Sequence, residues 1–199
     1  LEQVLALDPD HLEGRLLLAR LLVREGRAAE AVTTLKDLVV RTEGKRRVRL
    51  LMDLARLQAN EVGDPVGAAA SVDEALALEP QTPGLEALAL DVMARAESWP
   101  RLRELLERSF EAARSDADRA DRALRLARLF AGPLADEEAL GRWLAEAQAA
   151  EPGSVEVRAL EAERLEQRGD LVMAEVAWTE VVELLAGRRA AEELMRASH

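Results

Sequence analysis

Cysteine and tyrosine are absent from this 199-residue chain, histidine occurs twice and aromatic residues amount to 3%. The lack of cysteine excludes disulfides, thiolate nucleophiles and Cys-containing metal sites. His11 and His199 stand at opposite ends of the sequence without a ligand-spaced partner, and neither an HExxH pattern nor an EF-hand loop occurs. No metal and no other cofactor is expected. No apolar stretch approaches the roughly 18 residues that cross a bilayer. No basic segment followed by an apolar one opens the chain, as a secretory signal would, so no membrane association is expected for this stretch. Lysine is scarce as well, two residues (Lys36 and Lys45) against 25 arginines, which reads as base-composition bias. The chain starts at Leu1 inside a helical pattern and therefore reads as a fragment of something longer. Its compartment is not fixed. A cytoplasmic place is favoured over a periplasmic one, which would require a signal segment already removed.

Apolar residues make up 49% of the chain, and most of them are leucine and alanine. With glutamate and arginine, these are among the strongest helix formers, so the composition calls for helices throughout. The net charge is −11. Such acidity keeps a protein soluble and opposes non-specific attraction to nucleic acid, and no nucleic-acid partner is expected.

Internal periodicity is plain. Leu-Ala-Leu-Asp-Pro at 5–9, Leu-Ala-Leu-Glu-Pro at 76–80 and Ala-Ala-Glu-Pro at 149–152 are helix stops, because proline cannot continue a helix and pushes the preceding residue to extended angles. Between the stops, Ala19, Gly26, Ala31, Leu35 and Leu38 have the same internal spacing as Ala162, Gly169, Ala174, Trp178 and Val181. Ala55, Gly63, Ala68, Val72 and Ala75 follow with one extra residue before the glycine, and Ala127, Leu140, Leu144 and Ala147 also carry one extra residue. The first alanine lets a neighbouring helix approach, the glycine takes a turn at positive φ, and the second alanine meets the first. The stretch at about 83–115 is degenerate: Ala89 and Leu90 compete for the small position and no glycine closes the turn.

This pattern resembles the tetratricopeptide repeat, a helix–turn–helix unit of 34 residues. The resemblance implies an all-α fold, a right-handed α-solenoid of stacked hairpins with about 11–12 helices and no strands. It divides the chain, as a single array, into a half repeat at 1–9, repeats at about 12–44, 48–80, 83–115, 120–152 and 155–186, and a C-terminal capping helix at 188–197. Helix starts are expected at the capping box Asp10-x-x-Glu13, at Asp64-Pro65 and Thr82-Pro83, and near Ser98 and Ser154. Ala123, Leu126, Ala127 and Phe130 form an amphipathic stripe. Trp143 and Trp178 fall at or beside a position late in the second helix where the family often carries an aromatic residue.

No catalytic constellation emerges. Gly44-Lys45 lacks the rest of a phosphate-binding loop, and Gly153-Ser154-Val155 lacks the second glycine of a nucleophile elbow. With 38 acidic residues, neighbouring carboxylates arise by chance. The chain is expected not to be an enzyme. Lys45-Arg46-Arg47-Val48-Arg49 is the one dense basic run. It opens a helix, where positive charge opposes the helix dipole, and no aromatic residue lies near it for base stacking.

In the tetratricopeptide family the first helices of the repeats line a concave groove. Carried over by register, that groove would present Leu16, Arg20, Val23 and Arg24, then Arg49, Met52, Asp53, Arg56 and Asn60. Further on come Leu124, Arg125 and Arg128, and after them Ala159, Glu163 and Glu166. Arginine grips carboxylates in a bidentate fork, so the resemblance implies a scaffold that receives a protein or peptide partner, an acidic one in its N-terminal half. Leu16 and Asp53 occupy positions where the family's carboxylate clamp wants polar or basic groups. Alternatives are a regulatory segment of a larger enzyme, part of a bacterial secretion or motility machine, and a self-associating module in which an exposed repeat end stacks on another copy.

Overall fold

The computed structural model describes residues 11–197. The half repeat at 1–9, Asp10 and His199 lie outside them. Ten α-helices and one π-helical turn account for the regular structure, with no strand among the described residues, as the composition leads one to expect. They are α1 (Leu12–Arg24), α2 (Ala28–Val40), α3 (Gly44–Leu57), α4 (Pro65–Leu78), α5 (Leu85–Arg95), α6 (Trp99–Glu111), α7 (Asp116–Ala131), α8 (Glu137–Ala150), α9 (Val155–Gln167) and α10 (Leu171–Ala197), with the π turn at Gln58–Val62. The chain divides into two compact units, Leu1–Leu102 and Arg103–His199, the division falling inside α6.

In the first unit α1 pairs with α2 and α3 with α4, while α3 also packs on α2, and α5 on both α3 and α4. Each first helix of a hairpin therefore rests on the hairpin before it. The alanines at the crossings permit this: Ala19, Ala31, Ala55 and Ala68 are all buried, and larger side chains there would hold the helix axes apart. Leu35, Leu38, Val48, Leu51 and Leu54 fill the space between them. The second unit repeats the scheme, with α7 on α8, α9 on α10, and α9 also against α7 and α8. Phe110 meets Trp143 edge-on, ring centroids 5.1 Å apart, so the tryptophan expected late in its repeat packs on an aromatic partner.

The glycine turns follow the expected physics. Gly26 at φ 75° and Gly169 at φ 77° each sit one residue past the C-cap of their helix, Glu25 and Arg168. The Gly169 N–H donates to the Glu166 carbonyl and the Asp170 N–H to the Leu165 carbonyl, which satisfies carbonyls the helix end leaves orphaned. In the repeat without a glycine the same bonds form around Glu97, which adopts φ 52°. Of the two competing residues, Ala89 is fully buried and Leu90 only partly so.

The extra residue of the second repeat is absorbed by the π turn. The Asp64 N–H reaches the Gln58 carbonyl at 2.8 Å, and a locally wider helix takes up one inserted residue without changing what precedes or follows it. Gln58 is 1% exposed. Its Oε1 accepts the Ser71 hydroxyl at 2.8 Å, and Asp64 caps α4 by accepting the Gly67 N–H at 2.8 Å. A Cβ on Gly67 would lie 2.1 Å from Asp64 Oδ2 and 2.4 Å from Gln58 Nε2, so this glycine makes room for the polar cluster.

Several expected boundaries move. The cap of α1 is His11, whose Nδ1 accepts the Gly14 N–H at 3.0 Å; Glu13 sits in the first turn and pairs with Arg46. Helix α5 begins at Leu85 behind Gly84 at φ 79°, not at Thr82-Pro83, because the Thr82 hydroxyl turns back to donate to the Glu79 carbonyl. Helix α7 begins at Asp116, where Ser115 accepts the Asp118 N–H at 3.1 Å. Helix α10 runs 27 residues without interruption through Gly187, so residues 188–197 continue it instead of forming a separate helix.

A cleft between the first helices of two repeats

In the first unit, α1 and α3 stand side by side as the first helices of successive hairpins, with α2 behind them. Between them lies a cleft of about 260 Å³ lined by Leu16, Ala19, Arg20 and Val23 from α1, Leu35 from α2, and Asp53 and Leu57 from α3. Leu16, Arg20, Val23 and Asp53 are residues the repeat register assigns to the groove. Leu35, Ala19 and Leu57 are not. They belong to the packing pattern, and their apolar atoms become the floor of the cleft because Ala19 is too short to fill it.

Arg20, Arg24 and Arg49 are exposed and form no ion pair among the described residues. Arg56 lies 3.7 Å from Asp53, an exposed pair that contributes about 0–1 kcal/mol and leaves the guanidinium available. Asn60 is exposed on the π turn and accepts a hydrogen bond from Arg95 at 2.9 Å. Met52 departs from the expected arrangement. At 7% exposure it belongs to the core, since α3 is packed on both sides and has little free surface.

The basic run that opens α3 is used within the fold. Lys45 pairs with Glu79 at 3.9 Å, Arg46 with Glu13, and Arg47 Nε donates to Glu74 at 2.9 Å. These bonds tie α3 to α1 on one side and to α4 and its C-cap on the other, which offsets the unfavourable placing of positive charge at a helix start. Arg49 remains outside this network.

The other predicted groove residues belong to the second unit. Arg125 pairs with Asp121 at 2.9 Å. Arg128 lines a cleft of about 230 Å³ together with Leu140, Leu160, Glu163, Arg164 and Gln167. Arg164 is the residue that sequence reasoning missed here. Burial works against its charge, but Glu137 and Glu161 outweigh that effect and raise its pKa above the usual arginine value. Its guanidinium lies over Gly141, where a Cβ would meet Nη2 at 2.7 Å. No sequence spacing marks such a contact, because it joins residues from successive hairpins. No cluster of His, Cys, Asp or Glu able to hold a metal is present among the described residues, and no helix there is long and apolar enough to cross a membrane.

Comparison with known proteins places this geometry. Residues 1–57 match the family model described as Tetratricopeptide repeat. No curated protein matches the sequence. Among solved structures, a crystal structure of MamA superimposes with a TM-score of 0.64 at 12% identity, covering 90% of this chain and 94% of that one. MamA of Desulfovibrio magneticus RS-1 superimposes with a TM-score of 0.60 at 21% identity, over 89% and 97% of the two chains. The assembly chaperone of RpL4 follows with a TM-score of 0.51 at 14% identity, over 87% and 75%. At such identities the likeness is one of fold. Residues 1–57 therefore match the tetratricopeptide repeat by sequence, and the helical hairpins after them share the fold of these solved structures.

Proposed function

We propose that this chain is a non-catalytic scaffold that holds a segment of a partner protein in the cleft between α1 and α3, and that the segment is acidic with an apolar side chain among its carboxylates. The observation that carries the reading is the cleft itself, lined by the apolar side chains of Leu16, Ala19, Val23, Leu35 and Leu57 together with Arg20 and Asp53. Arg20, Arg24 and Arg49 have no carboxylate partner among the described residues, although the chain carries 38 acidic residues. Arginines left unpaired in so acidic a protein are placed to receive carboxylates from outside. The solved neighbour titled an assembly chaperone of RpL4 supports a protein-holding use of this fold. No nucleophile–base pair argues for chemistry in the cleft.

The test is a titration of the intact chain against a fluorescein-labelled peptide in which leucine is flanked by aspartate and glutamate. Reversing Arg20 and Arg56 together (R20E/R56E) is expected to weaken binding by about tenfold or more, roughly 1.4 kcal/mol. Reversing Arg125 and Arg128 in the second unit leaves it unchanged. Binding that persists at full strength in R20E/R56E rules the cleft out.

A further inference from the structure

The largest exposed apolar side chains cluster on α10. Leu171 is 68% exposed, Val172 74%, Met173 50% and Val176 48%, and further along Val182 is 64% and Leu185 46% exposed. The repeat register separates these into two kinds. In the cleanly matching first repeat, Val182 and Leu185 correspond to Val39 and Thr42, which are buried at 5% and 6% where the next hairpin packs on α2. Their exposure on α10 follows from the absence of a further hairpin packed on it among the described residues. Leu171, Val172, Met173 and Val176 correspond instead to Ala28, Ala29, Glu30 and Thr33. Ala29, Glu30 and Thr33 stay exposed although a further hairpin follows. In α8 the positions matching Val172, Met173 and Val176 are Glu138, Ala139 and Arg142. Repeat stacking therefore does not cover this face. In α4 the matching positions are Pro65, Val66, Gly67 and Ala70, with Val66 alone a large exposed apolar side chain at 69%, whereas α10 carries four such side chains together. An exposed apolar patch that the fold does not need marks an interaction site.

Charge around the patch selects the occupant. Glu175 and Glu183 lie on the same stretch of α10 and form no ion pair among the described residues, and Asp170 caps the helix start through Met173 N–H at 3.3 Å. The nearby cation Arg168 is bound to Glu137 at 3.3 Å, and Glu180 is held by Arg158 at 3.1 Å. The patch is thus apolar with a carboxylate rim. We infer that the Leu171–Val176 face of α10 docks a basic amphipathic helix of a partner protein, with apolar residues against Val172 and Val176 and Lys or Arg reaching Glu175 and Glu183. Two helix faces can pack there by interlocking side-chain ridges, and helix capture of this kind is a common mode of peptide recognition.

The probe is a labelled amphipathic helix with one leucine and one lysine face, about 14 residues or four turns long, titrated by anisotropy against the intact chain. Binding is expected, and V172S/V176S weakens it about tenfold, as does E175K/E183K. A29S/T33A, at the matching positions of α2, leaves it unchanged. All four side chains replaced on α10 are exposed, so circular-dichroism melts of these variants coincide with the parent. Three outcomes overturn the inference. Unchanged binding by V172S/V176S means mere attraction to an acidic chain. Equal binding of a leucine/glutamate helix means that charge selects nothing. Concentration-dependent light scattering abolished by V172S/V176S means that the face belongs to a second copy.

Discussion

At the scale of single residues, positive φ has the clearest consequence. An L side chain in the left-handed region costs roughly 1–2 kcal/mol, and glycine avoids that cost. Gly26, Gly169 and Glu97 occupy the same place in the same hydrogen-bonded turn, at φ 75°, 77° and 52°. Replacing Glu97 by glycine is expected to stabilise the folded chain by about 0.5–1 kcal/mol. The gain is less than the full strain because glycine also loosens the unfolded chain. Gly169→Ala is expected to lose about 1 kcal/mol, although nothing lies within 4 Å of where its Cβ would stand. Urea unfolding of the two variants beside the parent measures both. If Glu97→Gly lowers the midpoint, the turn is held by contacts of Glu97 and not limited by its backbone.

At the scale of the element, the π turn raises the question of what keeps an irregular helix in place. Gln58 is buried and its Oε1 accepts the Ser71 hydroxyl. Ser71→Ala leaves that carbonyl oxygen without its donor and is expected to cost about 1–2 kcal/mol. Adding Gln58→Leu removes the stranded group and recovers most of the loss, so the two changes combine far from additively. A double-mutant cycle in urea shows it, and plain additivity would mean that Ser71 and Gln58 act separately. Much of this element could be read in advance. The extra residue between Ala55 and Gly63 announced an insertion, and Asp64-Pro65 announced the helix start after it, because both are local in the chain. That the insertion becomes a π turn could not be read, since it depends on Gln58 finding Ser71 from the next helix. The same limit explains the other departures. Thr82 is a good capping residue by type, yet Gly84 precedes α5, because the Thr82 hydroxyl bonds back to the Glu79 carbonyl. Met52 matched the groove register but is buried, because register gives the angle around a helix and not how many neighbours surround it. Four of the seven residues lining the first cleft were legible for the opposite reason. A repeat assigns each position a direction, and Leu16, Arg20, Val23 and Asp53 follow it.

At the scale of the whole molecule, a net charge of −11 stands against the proposed acidic segment, and ionic strength separates the two effects. Repulsion between an acidic chain and an acidic peptide acts over the Debye length, roughly 30 Å at 0.01 M salt but about 8 Å at 0.15 M. Contact between a carboxylate and Arg20 or Arg49 acts over a few ångströms and is less screened. Raising salt from the lower to the higher value therefore removes repulsion first, and the association rate of the acidic peptide is expected to rise or hold. Toward 1 M, where the Debye length falls to about 3 Å, contact pairs are screened in turn and affinity falls. The acidic peptide should thus show a maximum at intermediate salt. A leucine/lysine helix on α10 meets attraction at every distance and should weaken monotonically from the lowest salt upward. In R20E/R56E the contact term is lost while the long-range term grows, so the maximum drops and the initial rise steepens. Stopped-flow anisotropy over the salt series reads both rates. A steep monotonic decline for the acidic peptide would mean that the peptide senses a positive field extending well beyond the cleft, which a short-range arginine site in an acidic molecule cannot produce.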